Sequence, residues 1–217
     1  MPKLAIVHTA PMLEPVFERL VRTARPDVET VHIVDEELLA DAIANDGLTD
    51  ANRSAVEARV REAAATGADA VLVTCSSIGE AVEAAAGAVG VPVVRVDVAM
   101  AQEAVDAGRR IGVLATLRST LRPTAALIRR TARDAGREVE IVEQLCDGAY
   151  AALRAGDRDR HDALVRAGYE ALRGRVDVVV LAQASMARIL DALPEAGRHA
   201  AVLSSPGGAV ERALAVI

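Results

Sequence analysis

The chain has 217 residues, 52% of them hydrophobic and 26% charged, which suits a packed core and excludes a disordered protein. Aromatic residues make up only 1% (Phe17, Tyr150, Tyr169, no Trp), so the core is built from Ala, Val, Leu and Ile and has no aromatic platform for stacking bases or sugars. The net charge is -6, and the basic residues are scattered among acids, as in Asp157-Arg158-Asp159-Arg160; this excludes the clustered Lys/Arg of a nucleic-acid partner and reads as solvated helix faces.

The opening Met1-Pro2-Lys3-Leu4-Ala5-Ile6-Val7-His8 is too short an apolar run for a signal peptide, and no run of about 18 apolar residues exists for a membrane span. A cytoplasmic protein with no membrane partner is expected. The two cysteines, Cys75 and Cys146, do not form the pattern of a secreted disulfide scaffold.

Taken in order, Leu4–His8 is a short apolar run that predicts a buried strand. Leu13–Arg25 has helical spacing, with Pro15 near its first turn, where proline is tolerated. Val31–Val34 is a second strand. Glu36–Asn45 and Asp50–Thr66 are amphipathic helices parted by a turn at Asp46-Gly47. Ala70–Thr74 is a third strand, Ile78–Ala86 a helix, and Val93–Val96, after Pro92, a fourth strand. The second half repeats the plan, with strands near Ile111–Ala115, Val139–Leu145, Val178–Ala182 and Ala201–Ser204, and a last helix over Ala209–Val216.

The halves are copies. Displaced by 108 residues, the sequence lands on itself: Leu13 and Pro15 meet Leu121 and Pro123, Arg22-Thr23-Ala24-Arg25 meets Arg130-Thr131-Ala132-Arg133, Asp69 meets Asp177, and Ser77 meets Ser185. Continuous apolar strands alternating with helices predict parallel sheets covered on both faces. The expected fold is α/β: two similar lobes with parallel sheets related by pseudo-two-fold symmetry, and an active site in the cleft between them. The boundaries are 1–97 for the first lobe, with the helix at 206–217 packing back on it, and 98–205 for the second.

Ligands of open α/β sheets bind beyond the carboxyl ends of the strands. There the sequence places His8-Thr9-Ala10-Pro11, Thr74-Cys75-Ser76-Ser77-Ile78-Gly79, Thr116-Leu117-Arg118-Ser119-Thr120 and Gln183-Ala184-Ser185-Met186. Cys75 lies between a strand end and a helix start, where the helix is expected to lower its pKa and make it a proton carrier; the competing reading is an inert buried thiol. Cys146 precedes Asp147 and meets the apolar Leu38 in the repeat, so it is read as structural. Ser76, Ser77, Thr116, Ser119 and Thr120 offer hydroxyls that either bind a carboxylate or phosphate or cap helices. His8, at a strand end, is a candidate second acid/base, whereas His32, His161 and His199 read as surface or edge positions. No nucleotide loop or metal-ligand spacing is present.

Val71–Gly79 (VLVTCSSIG), Ile111–Leu121 (IGVLATLRSTL) and Val178–Met186 (VVVLAQASM) resemble, in order and spacing, the cysteine and second-lobe segments of the aspartate/glutamate racemase superfamily, which includes amino-acid and hydantoin racemases, maleate isomerase and arylmalonate decarboxylase. The resemblance spans nearly the whole chain. It implies Cys75 as catalytic acid/base and substrate contacts from Thr9, Thr74, Ser76, Ser77, Thr116, Ser119, Thr120, Gln183, Ala184 and Ser185, with neither metal nor pyridoxal phosphate. Where the family carries its second cysteine, this chain has Gln183. The implied function is an isomerase moving a proton at the α-carbon of a small carboxylate such as an amino acid. The alternatives are a one-thiol decarboxylase on a malonate-like acid and a non-catalytic small-acid binder. A homodimer stays open.

Overall fold

The computed structural model describes residues 1–192 and 201–217. The chain divides into two compact units, Met1–Ala99 with Pro206–Ile217, and Met100–Ser205.

The first unit runs β1 (Lys3–His8), α1 (Glu14–Ala24), β2 (Glu29–Val34), α2 (Glu37–Ala44), α3 (Asp50–Ala65), β3 (Ala70–Val73), α4 (Gly79–Ala85) and β4 (Val93–Arg95). Its sheet has the order β2-β1-β3-β4 with every pair parallel. The central β1 and β3 are almost wholly apolar because both faces are covered. The edge strand β2 carries Glu29, Thr30 and His32 and is only half-buried. Between α2 and α3, Asp46 and Gly47 turn the chain at positive φ, and Thr49 caps α3 by accepting from the Asn52 N–H at 3.0 Å.

Strand alternation sorts the side chains of this sheet onto two faces. Ala5, Val7, Val71, Val73 and Cys75 join Val56, Val60 and Ala63 of α3 in one core. His8 lies on the other face, its ring 5.7 Å from that of Phe17 on α1.

Helix α5 (Val98–Ala107) leads into the second unit: β5 (Arg110–Ala115), α6 (Arg118–Asp134), β6 (Glu140–Leu145), α7 (Ala149–Arg154), α8 (Arg158–Leu172), β7 (Val178–Leu181) and β8 (Ala201–Ser204). The sheet order β6-β5-β7-β8 is the first order repeated, again all parallel. Helix α9 (Ser205–Leu214) starts four residues before the expected Ala209.

Matching sheet bonds reveal a repeat less regular than one slide of 108. Asp69 N–H donates to the Lys3 carbonyl as Asp177 N–H does to that of Arg110, so the third strands stand 108 apart but the first strands 107. Asp35 N–H donates to the His8 carbonyl as Cys146 N–H does to that of Ala115, a separation of 111 at the second strands. Cys146 is therefore the counterpart of Asp35, not of Leu38, because the second copy is longer between its first two strands. Thr9 becomes the counterpart of Thr116, while Cys75 and Gln183 stay matched.

His161 is 0% exposed, not a surface residue. It lies on the buried stripe His161, Val165, Gly168, Tyr169 and Leu172 of α8, and that helical spacing could have revealed it. His199 lies outside the described residues.

Cys146 is packed in the second core with Leu114, Val165 and Tyr169, and burial pushes its thiol up to about 11. A Cβ on Gly168 would fall 2.5 Å from the Cys146 Sγ and 2.8 Å from Leu114 Cδ1. Gly168→Ala is therefore expected to cost about 1–3 kcal/mol by overpacking, despite a gain of about 1 kcal/mol in helix propensity. Adding Cys146→Ala clears the nearer clash and recovers part of the loss. Urea unfolding of the two single variants and the double variant checks this, and strictly additive changes would refute the contact.

Candidate active site

Cys75 follows β3 directly and holds the N-cap position of a 3-10 turn, Ser76–Ile78, which runs into α4. It is 7% exposed. Burial raises its thiol above the ordinary value; the Thr9 hydroxyl, the Ser77 and Ile78 N–H groups and the Ser77 hydroxyl, arrayed about the sulphur, oppose that rise. The expected lowering by the helix is thus overturned: desolvation outweighs the donors, because a single 3-10 turn brings only two N–H groups to the sulphur. The resting group is the protonated thiol.

Thr9 and Cys75 share one face of the sheet, so the contact between them follows from parallel pairing of β1 with β3. Thr74 and His8 share the other. The Thr74 Oγ1 lies 3.0 Å from His8 Nδ1 and 3.2 Å from the Val7 carbonyl oxygen, within reach of both, so this hydroxyl is held inside the protein. His8 is 0% exposed, with its Nε2 2.9 Å from His32 Nδ1. Burial first, and the charge of His32 second, lower its pKa to about 3. The expectation that His8 is a second acid/base is therefore corrected. Both ring nitrogens are engaged, and the ring lies on the face opposite Cys75.

The hydroxyls beyond the strands divide into two kinds. Ser76 and Ser119 are buried, and their Oγ atoms have no hydrogen-bond partner. Neither caps a helix: the cap positions belong to Cys75 and Leu117. A buried hydroxyl without a partner costs about 1–3 kcal/mol, so each has donor and acceptor capacity to offer a ligand. Ser77 and Thr120 are buried and already engaged. Pro123, inside α6, brings no N–H to the Ser119 carbonyl four residues back, which leaves that acceptor outside the helical pattern.

In the second unit, Gln183 follows Ala182 at the end of β7. Its Oε1 accepts from the Thr116 N–H at 2.6 Å and from the Thr116 Oγ1 at 2.9 Å. With Oε1 so engaged, the other end of the amide, Nε2, is a donor only. Ala184 is buried and Ser185 half-buried at the start of the 3-10 stretch Ala184–Ala192. The structure thus brings Thr9, Cys75 and Ser77 together in the first unit, and Thr116 and Gln183 in the second.

One supporting group was not singled out from the sequence. Arg95, 3% exposed, grips Asp97 with two bonds of 2.6 and 2.9 Å and Glu83 with one of 3.0 Å. A Cβ on Gly79 would lie 2.2 Å from Arg95 Nε, so the glycine that starts α4 is what lets this guanidinium brace the turn behind Cys75. Its sequence signal is the apolar run broken by Arg-Val-Asp two residues after Pro92-Val93.

The Asp/Glu/hydantoin racemase family model matches residues 9–213. Among solved structures, glutamate racemase isoform RacE1 from Bacillus anthracis is similar at a TM-score of 0.73 and 16% identity, over 99% of this chain and 81% of that one. The Picrophilus torridus aspartate racemase has a TM-score of 0.73 and 14% identity, over 99% and 94%. Allantoin racemase from Klebsiella pneumoniae has a TM-score of 0.70 and 16% identity, over 100% and 87%. No curated protein sequence matches. Among the described residues, no helix is long and apolar enough to cross a membrane.

Proposed function

The chain belongs to the Asp/Glu/hydantoin racemase family, and from that premise we propose that it is an isomerase that moves a proton at the α-carbon of a small carboxylate, with Cys75 as the acid/base. The observation that carries this reading is the setting of Cys75: a thiol at a strand end, with the Thr9 hydroxyl and the Ser77 and Ile78 N–H groups disposed to favour its thiolate. The thiolate fraction of Cys75 takes the α-proton, leaving a carbanion and the neutral thiol; that thiol, after exchanging its proton with solvent, returns one to the same face and becomes the thiolate again. Ser76 and Ser119, with their unspent hydroxyls, are the proposed carboxylate donors, while Thr116 is spent on holding the Gln183 amide oxygen. Gln183 cannot exchange a proton at neutral pH; its Nε2 donates instead to a substrate oxygen on which charge develops.

With one thiol, proton exchange is expected to outrun inversion. Small carboxylic acids incubated in deuterated water and followed by proton NMR should exchange the α-proton of one enantiomer faster than they racemise. A second reading, decarboxylation of a malonate-like acid, is favoured by the same feature, since a carbanion formed by loss of carbon dioxide needs one proton from one face. Carbon dioxide release from substituted malonates, without α-exchange of monoacids, selects it. Acids that bind and show neither reaction would leave a binding protein and sink both.

A further inference from the structure

Four polar side chains form an unbroken line across the face of the first sheet opposite Cys75. The Glu18 carboxylate on α1 lies 3.2 Å from His32 Nε2; His32 Nδ1 lies 2.9 Å from His8 Nε2; and His8 Nδ1 lies 3.0 Å from Thr74 Oγ1. Thr74 in turn reaches the Val7 carbonyl at 3.2 Å. The outer end is anchored: Glu18 also accepts from Thr30 and Arg22, and with Thr30 first among the causes its carboxyl is held at about 2, so it acts only as an acceptor. The outer end is half-open to solvent, on the edge strand β2, and the inner end is fully buried beside Phe17.

Two proton arrangements satisfy this line, and they run in opposite directions. Because Glu18 only accepts, His32 Nε2 carries a proton in both. With His32 neutral, its Nδ1 accepts from His8 Nε2–H, and His8 Nδ1 accepts from the Thr74 hydroxyl. With His32 protonated, its Nδ1–H donates to His8 Nε2, and His8 Nδ1–H donates to Thr74. The Thr74 hydroxyl then donates to the Val7 carbonyl. The added proton stays on His32, next to Glu18; His8 remains neutral, its own proton moved from Nε2 to Nδ1. The charged groups facing His32 are Glu18 from α1, with Arg22 bound to the same carboxylate, and the titratable His8 from β1.

The consequence falls on the catalytic face. The Val7 carbonyl already accepts the Thr74 N–H at 3.0 Å, a bond that ties β1 to β3 at their carboxyl ends. The next residue outward on β1 bears the relay, and the one after it is Thr9; the next on β3 is Cys75. A second donor to Val7 tightens the junction that holds the Thr9 hydroxyl against the Cys75 sulphur.

We propose that Glu18, His32, His8 and Thr74 are positioning residues, a hydrogen-bond relay through which a proton taken up at the edge of the sheet reorients the Thr74 hydroxyl and resets the Thr9–Cys75 contact. The functional consequence rests on Cys75 as the acid/base; the relay itself does not. The test is a pH series from 5 to 9 on the full chain, about the range in which histidine changes charge, by long-range proton–nitrogen NMR of the imidazoles together with the backbone amide of Cys75. In the wild type, the His8 proton should pass from Nε2 to Nδ1 in step with His32 protonation, and the Cys75 amide should shift with the same midpoint. Thr74→Val should abolish the Cys75 step, Thr74→Ser should restore it, and Glu18→Gln should move the midpoint to lower pH. A His8 ring that keeps one tautomer throughout, or a Cys75 step that survives in Thr74→Val, overturns the relay. If the relay is present but no acid exchanges its α-proton, the catalytic reading fails alone; if exchange occurs, its pH profile should carry the His32 midpoint and lose it in Thr74→Val.

Discussion

Cys75→Ala is expected to lower the rate of α-proton exchange by about 10²–10⁴-fold, the usual contribution of a positioned general acid or base, while leaving the fold intact. The loss belongs to kcat. The carboxylate contacts proposed for Ser76 and Ser119 persist, so substrate binding survives, and only the group that carries the proton is gone. The control is internal. Cys146→Ala removes one buried atom from the core of the second unit, costing about 0.5–1.5 kcal/mol of stability as for a buried methyl, and should leave exchange near the wild-type rate. Both are measured by proton NMR in deuterated water after urea unfolding has established that the variants fold. A Cys75→Ala rate within about tenfold of wild type would remove Cys75 from the chemistry.

The second large effect is on stability in acid. His8 is neutral and buried, with a folded pKa of about 3 against 6.5 for the ordinary imidazole. Between those values the unfolded chain binds a proton that the folded chain refuses. Its contribution is therefore complete above about pH 6.5 and is lost as the pH falls towards 3, at about 1.4 kcal/mol for each pH unit once well inside that window. Glu18, lowered from 4.5 to about 2, acts in the same direction over a lower window: its contribution is present above 4.5 and lost as the pH falls towards 2. That carboxylate is about a third exposed, so screening makes its share small. The histidine window starts higher, which separates the two. Urea unfolding at intervals from pH 8 to pH 4 should show stability falling already between 6.5 and 5, and His8→Gln should flatten that segment while leaving the fall below 4.5. A wild-type chain equally stable at pH 6.5 and pH 5 would mean that His8 is not held neutral by the fold.

Much of the architecture was legible because its causes are local. A strand covered on both faces has to be apolar throughout, so Ala70–Val73 and Val178–Leu181 announce themselves, while Glu29, Thr30 and His32 mark an edge. The duplicated plan placed Cys75 and Gln183 at matching strand ends, and the sheet bonds agree, since Thr74 and Ala182 each donate to the first strand of their own sheet. The strand ends differ from their expected limits by one or two residues, and the helix at Ser205 starts earlier than its apolar spacing suggested because its first turn carries Pro206-Gly207-Gly208.

What the sequence determined by itself is whatever follows from neighbours along the chain: period-two and helical patterns, the repeat, the order of strands and helices, and the thiol at the end of the third strand. What only the tertiary structure decided depends on register and burial. Four added residues between the first two strands of the second copy made Cys146 the counterpart of Asp35 rather than of Leu38. Pairing across 24 and 66 residues placed His8 between His32 and Thr74, on the face away from Cys75. The direction of the Cys75 shift likewise turned on how much water the fold removes from the sulphur, against how many donors it supplies. Hydrogen-bond partners and desolvation are set by atoms distant in sequence, and a local pattern specifies which face a residue takes without specifying what waits there.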